Sequence, residues 1–219
     1  MATLMTQSLA AQLRLKRSEM MVSEVEAAAL RMFDTTGFDQ VTVNDIASEA
    51  GISVRTFYRY FPTKEDVLQV QIDRRSQALR TALSERPGDE PALRSLRLAL
   101  ARVVSTEDPA SLRRWITVIA TTPSVVKGVI GGIQLKSQRV TAEFLGARFG
   151  MPSDGLVPTM LAAAVGGVIQ AAHVHWFVHG GNLSTTIAQG LEVLERGIGS
   201  DPATWAANGS GADTSLWHV

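Results

Sequence analysis

Between Arg55 and Tyr60 the chain sets Arg55, Thr56, Tyr58, Arg59 and Tyr60 within six positions, and the window 51–64, with Lys64, holds three positive charges and no acidic residue. Cationic side chains neutralise phosphates, and arginine and threonine reach base edges in a groove. Phe57, Tyr58, Tyr60 and Phe61 are interleaved with those charges. Four rings on a surface are wasteful unless two are core and two touch a partner. Ordinary solvated charge on a helix pair is the plain alternative; the aromatic cluster and the charge pattern together favour duplex DNA as the partner.

Other chemistry finds less support. The chain has no cysteine, which excludes a thiol nucleophile, a disulfide framework, a zinc ribbon and an iron–sulfur site. His175 and His179 share a helical face, but the residues between them are Trp-Phe-Val. The glutamate of a zinc hydrolase is therefore missing, and with His173 the cluster suggests a pocket rim or an interface, not a metal site. Gly128, Gly131 and Gly132 sit in a helical pattern without the preceding strand that a dinucleotide loop requires. No nucleophile elbow or paired catalytic carboxylates stand out. A binding protein is expected, not an enzyme, and no cofactor.

The basic window needs elements to hold it. Thr42 and Asp45 form a capping box, followed by two helical turns with Val43, Ile46, Ala47 and Ala50 inward. Gly51 supplies the left-handed residue that ends them, and Ser53 caps a second short helix over 54–60. Ala47 is small where the two helices would cross, and Ile52 and Phe57 would lock the pair. Two short helices joined by a glycine turn are a helix-turn-helix, whose second helix enters the major groove. Thr63-Lys64-Glu65-Asp66 then caps a further helix, whose N-terminal N–H groups and Lys64 could hold another phosphate.

The surroundings read as helical throughout. Met21, Val25, Ala28, Ala29, Met32 and Phe33 recur on one helical face. Asp108-Pro109 and Thr122-Pro123 each pair a capping side chain with proline at a helix start, and no stretch alternates with period two. The expectation is an all-α protein of about nine helices joined by short links. With 219 residues and 45% hydrophobic composition the chain can bury a substantial core. Its 21 basic residues balance 21 acidic ones, so nucleic-acid binding must come from a local patch. The N-terminal charges follow a weak apolar stretch, the reverse of a secretory signal. The apolar run 156–178 contains Pro158, two glycines, Gln170 and two histidines, and reads as a buried helix, giving a cytoplasmic protein with no membrane partner.

The set Phe33, Thr36-Gly37-Phe38, Val41 to Ala47, Ala50 to Ser53, Thr56 to Phe61 and Lys64 to Leu68 resembles the N-terminal domain of TetR-family transcriptional regulators, nearly continuously over 17–70. The resemblance implies a homodimer on a palindromic operator, usually a repressor, released when the C-terminal domain takes a small molecule. It also implies that Thr42, Tyr58, Tyr60 and Lys64 hold phosphates and that Val54, Arg55, Thr56 and Arg59 face bases, with Ser53 beside them and Phe57 and Phe61 in the core. Thr106 to Pro109 and His175-Trp176-Phe177 with Gly180-Gly181 are similar to the mycofactocin-type regulator subgroup, some members of which respond to acyl-CoA.

Four segments are expected: a flexible arm over 1–16 carrying Arg14 and Lys16, the helix-turn-helix domain over 17–62, a ligand-binding and dimerisation domain over 63–199, and a mobile tail over 200–219. Arg14, Lys16 and Arg17 are a solvated basic tail or a minor-groove arm. A pocket needs apolar walls and a few polar anchors, for which Arg102, Trp115, Phe144, Met160, His173 and Trp176 are the candidates. The last two helices hold more apolar surface than one layer covers, with Val165, Ile169, Ala172, Leu191, Leu194 and Ile198 as the candidate dimer interface. The effector would be small and apolar or amphipathic. The competing reading is a helix-turn-helix protein that takes no small-molecule effector.

Overall fold

The computed structural model describes residues 2–197, which form nine helices and no strand. In chain order they are α1 (Ala2–Thr36), α2 (Val43–Glu49), α3 (Val54–Tyr60), α4 (Asp66–Ser84), α5 (Ala92–Ser105), α6 (Pro109–Thr121), α7 (Pro123–Phe149), α8 (Leu156–His179) and α9 (Leu183–Arg196). Ile198, Trp205 and Trp217 lie outside the described residues, as does the whole expected tail. The expected arm over 1–16 is helical from Ala2 onward, so Arg14 and Lys16 lie on α1.

The helix ends follow local chemistry. Asp108 accepts from the Ala110 and Ser111 backbone N–H groups at the start of α6, where Pro109 is the first helical residue. Thr122 precedes Pro123 in the same way but makes no capping hydrogen bond. Before α4, the Thr63 N–H and hydroxyl both donate to Asp66 Oδ2 at 2.7 Å, and Asp66 N–H returns a bond to Thr63 Oγ1.

One apolar core runs the length of the molecule. Val25, Ala29 and Phe33 of α1, as their spacing predicts, meet Ile46, Ala47, Phe57 and Phe61. The long helix α4 joins both ends of that core: Val67 and Leu68 are sealed at its N-terminal end, Ile72, Leu79 and Leu83 further along. It packs on α1, α5 and α7, while α8 packs on α7 and α9. The Trp115 indole N–H of α6 donates to the Leu68 carbonyl at 3.2 Å, fixing α6 against the first turn of α4.

Helix α8 departs from the expectation of a fully buried helix. By length and composition alone it could cross a membrane, yet one face packs on α7 and α9 and the other is open. On the open face Leu156, Met160, Val174 and Val178 are 75%, 60%, 59% and 55% exposed. These positions recur at three- and four-residue multiples, one stripe along the helix. Val165, Ala172 and Leu191, expected at a dimer interface, are instead sealed in the protomer's own core, with Ile169 and Leu194 packed against it. A helix apolar all round gives no sequence signal for which side turns inward.

Candidate nucleic-acid interface

The site is built from caps outward. Thr42 N–H and hydroxyl donate to Asp45 Oδ2 at 2.9 and 2.6 Å, and Asp45 N–H donates to Thr42 Oγ1 at 3.3 Å. These bonds hold the Asp45 carboxyl below its ordinary range. After α2, Gly51 stands at φ 64° with open space where a Cβ would project. Backbone conformation, not crowding, therefore asks for glycine there. Thr56 N–H donates to Ser53 Oγ at 3.1 Å, and the two hydroxyls lie 2.8 Å apart, so one donates to the other at the start of α3.

Phe57 anchors α3 from below. It is fully buried, against Phe61 at 5.2 Å between ring centres and edge-on to Tyr58 at 5.7 Å. With that ring inward, Arg55, Tyr58 and Arg59 are exposed on the other side, and Val54, Thr56 and Tyr60 are half-buried at the edges. Two rings of the cluster are thus core, Phe57 and Phe61. Arg55 makes no ion pair among the described residues. Arg59 donates to the Tyr60 hydroxyl at 3.2 Å and stacks on its ring. Bonds with Ser18 of α1 and with Arg59 hold the Tyr60 phenol below its ordinary value.

Lys64 is placed differently from the others. Its ammonium donates to the Phe38 carbonyl at 2.6 Å and the Val41 carbonyl at 2.8 Å, and lies over the Phe38 ring. Two of its three donors are spent tying the start of α4 to the turn between α1 and α2, leaving one for a phosphate. Sequence spacing shows the charge but not this tether, because its acceptors are backbone atoms more than 20 residues away.

Residues 27–70 match the model described as "Bacterial regulatory proteins, tetR family", and residues 90–199 match the one described as "MftR C-terminal domain". The chain belongs to the TetR family of bacterial transcriptional regulators. It is 26% identical over 179 residues to the putative mycofactocin biosynthesis transcriptional regulator MftR of Mycobacterium tuberculosis, covering 81% of this chain and 89% of the other. Its fold is similar to that of the Thermus thermophilus repressor FadR in complex with lauroyl-CoA, with a TM-score of 0.54 and 21% identity over 81% of this chain and 94% of that one. It is likewise similar to SmeT in its triclosan complex, with a TM-score of 0.59 and 17% identity over 78% and 88%. This TetR-family chain is a DNA-binding regulator and not an enzyme.

The C-terminal helices of the TetR-family chain enclose a cavity of about 300 Å³ between α4, α5, α6, α7, α8 and α9. Of the six pocket candidates, Trp115 and His173 line it. Arg102 is exposed and paired with Glu85; Met160 lies on the open stripe of α8. Phe144 sits under the Arg148 guanidinium, and Trp176 is buried with its indole N–H on the Gly181 carbonyl and Arg113 over its ring. These four are not among the residues lining the cavity. Sequence reasoning missed Arg75, Ser76, Glu107 and Gln138, which do line it. The spacing of Ile72, Ser76 and Leu79 on α4 carried a signal for Ser76, since it shares their helical face. His175 and His179 lie on the exposed side of α8 with ring centres 4.6 Å apart.

Proposed function

We propose that the protein is a cytoplasmic homodimeric repressor that grips a palindromic operator with two copies of α3 and releases it when a small apolar or amphipathic effector fills the C-terminal cavity. The observation that carries this reading is the capped α2–Gly51–α3 unit, which seals Phe57 inside and turns Arg55, Tyr58 and Arg59 outward. In the complex, Thr42, Tyr58, Tyr60 and the free donor of Lys64 hold phosphates, while Val54, Arg55, Thr56 and Arg59 meet base edges beside Ser53. The open stripe of α8 supports the dimer, since a two-fold partner would cover it with the same surface.

Helix α4 supports the release mechanism. Its first turn is sealed into the core of the DNA-binding helices at Val67 and Leu68, and Ile72, Arg75, Ser76 and Leu79 further along it line the cavity. An effector that fits one placement of α4 better than another shifts the population toward it. The separation of the two α3 helices changes with it. The cavity favours this reading over a regulator without an effector.

The test is to mix the purified protein with sheared genomic DNA, recover the bound fragments and sequence them. The expected outcome is a shared inverted repeat whose half-sites lie about one helical turn, roughly 34 Å, or a multiple of it apart. Bound fragments with no common repeat would overturn the reading.

A further inference from the structure

We propose that His175 and His179, at the C-terminal end of α8, chelate one divalent first-row transition metal ion, copper or nickel in preference to zinc. The site is separate from the DNA-binding face and from the C-terminal cavity, and stands or falls independently of both.

Residues four apart project from the same face of a helix, one turn above the other. His175 and His179 are such a pair, and both are exposed. The glutamate missing between them rules out the hydrolytic zinc motif at this spacing. Holding an ion, by contrast, asks only for two imidazole nitrogens that converge on it.

Their ring centres lie 4.6 Å apart. A metal–nitrogen bond of about 2.0–2.1 Å puts an ion roughly 3.2 Å from the centre of each imidazole it binds. Rings at the observed separation then subtend about 90° at the ion. That is the angle between neighbouring ligands in tetragonal coordination, the geometry of Cu²⁺ and Ni²⁺, and is narrower than the tetrahedral angle of zinc. Mg²⁺ and Ca²⁺ take oxygen ligands and are not expected here.

No other group of the protein competes for these nitrogens. Beyond their contact with each other, neither ring makes a hydrogen bond or ion pair among the described residues. His173 stands apart, since its Nδ1 lies 2.7 Å from the Ile169 carbonyl and the residue lines the C-terminal cavity. The neighbouring cation is Arg113, which donates to the Phe177 carbonyl at 3.1 Å and lies over the Trp176 and Phe177 rings. Phe177 is half a helical turn from both histidines, so this guanidinium is held across the helix from them. His179 is also the last residue of α8, where the helix dipole adds partial negative charge.

The surroundings leave the site open. His175 and His179 flank Val174 and Val178 of the exposed stripe, at its rim, so an ion reaches them from solvent. The chain supplies two ligands where a structural zinc site supplies four, and water completes the shell. An exchangeable ion follows, not a buried structural one.

The test uses full-length, tag-free protein at pH 7.5, titrated calorimetrically with the chlorides of copper, nickel, zinc and magnesium. One Cu²⁺ per chain is expected with Kd on the order of 10 μM or tighter, Ni²⁺ and Zn²⁺ more weakly, and Mg²⁺ not at all. His175→Ala and His179→Ala are each expected to weaken Cu²⁺ binding at least tenfold, with circular dichroism unchanged because both positions are exposed. His218→Ala, at the histidine outside the described residues, is expected to leave the affinity unaltered. Electron paramagnetic resonance of the copper complex should report two imidazole nitrogens in the parent and one in either variant. An acidic buffer should release the ion, because an imidazole ligates only without its proton. No copper site, loss of the site in His218→Ala, or loss in only one of the two α8 variants would each overturn the proposal. Zinc binding more tightly than copper would overturn the coordination geometry on which it rests.

Discussion

Tyr58 and Lys64 carry different physical burdens although both are assigned to phosphates. Tyr58 is 52% exposed, and its hydroxyl makes no hydrogen bond with the described residues, whereas Lys64 bonds two backbone carbonyls. Tyr58→Phe is therefore expected to lower DNA affinity by about 3- to 10-fold on specific and random duplexes alike, the loss of one hydrogen bond, with the urea midpoint unchanged. Lys64→Ala removes the tether as well as a charge and should cost about 2 kcal/mol of stability in addition to affinity. Arg55→Ala should cost about 1–3 kcal/mol on the selected operator and little on random duplex, if it reads a base. Fluorescence anisotropy on both duplexes, beside urea melts, separates the three. A Lys64→Ala variant as stable as the parent would mean that the carbonyl contacts contribute nothing in solution.

At the scale of elements, what could be read from the sequence divides by the range of the interactions involved. The α2–α3 unit was legible because its determinants are local: Thr42 with Asp45, Ser53 with Thr56, and one glycine between them. Of the cavity, Trp115 and His173 were among the candidates, but its ion pair was not, because Arg75 on α4 meets Glu107 after α5, 32 residues away. Arg102 looked like an anchor until Glu85, 17 residues earlier, took its charge. The α8 dimer candidates failed for a related reason, since Val165 and Val174 are alike in type and opposite in burial. The turn offers the clearest element-level prediction. Gly51 has open space around a hypothetical Cβ and φ of 64°, so Gly51→Ala should cost about 1–2 kcal/mol from backbone conformation alone. Thermal unfolding should show that loss, whereas Gly167→Ala, inside a helix and also uncrowded, should leave the protomer as stable or slightly more so. Equal effects at the two positions would refute the conformational account.

Among the described residues, an isolated protomer explains one surface poorly: the stripe of Leu156, Met160, Val174 and Val178 along α8, with Gly167 at its middle. Monomeric proteins rarely leave a contiguous apolar band of this kind to water. In the proposed dimer two such stripes meet about a two-fold axis, each covering the other, and the open space at Gly167 lets the helices approach closely. Met160→Glu or Val178→Glu would bury a carboxylate opposite its own copy, where repulsion and desolvation act together. Either change is expected to convert the protein to monomer at micromolar concentration by analytical ultracentrifugation. Operator affinity should fall with it, because two half-sites would then bind independently. Leu191→Ala distinguishes packing from association. That side chain is sealed within the protomer, so its loss should lower stability by about 2–5 kcal/mol while the folded fraction still sediments as a dimer. Variants carrying Glu at 160 or 178 that remain dimeric would place the two-fold axis elsewhere, and the spacing of the recognition helices would then have to be set by another surface.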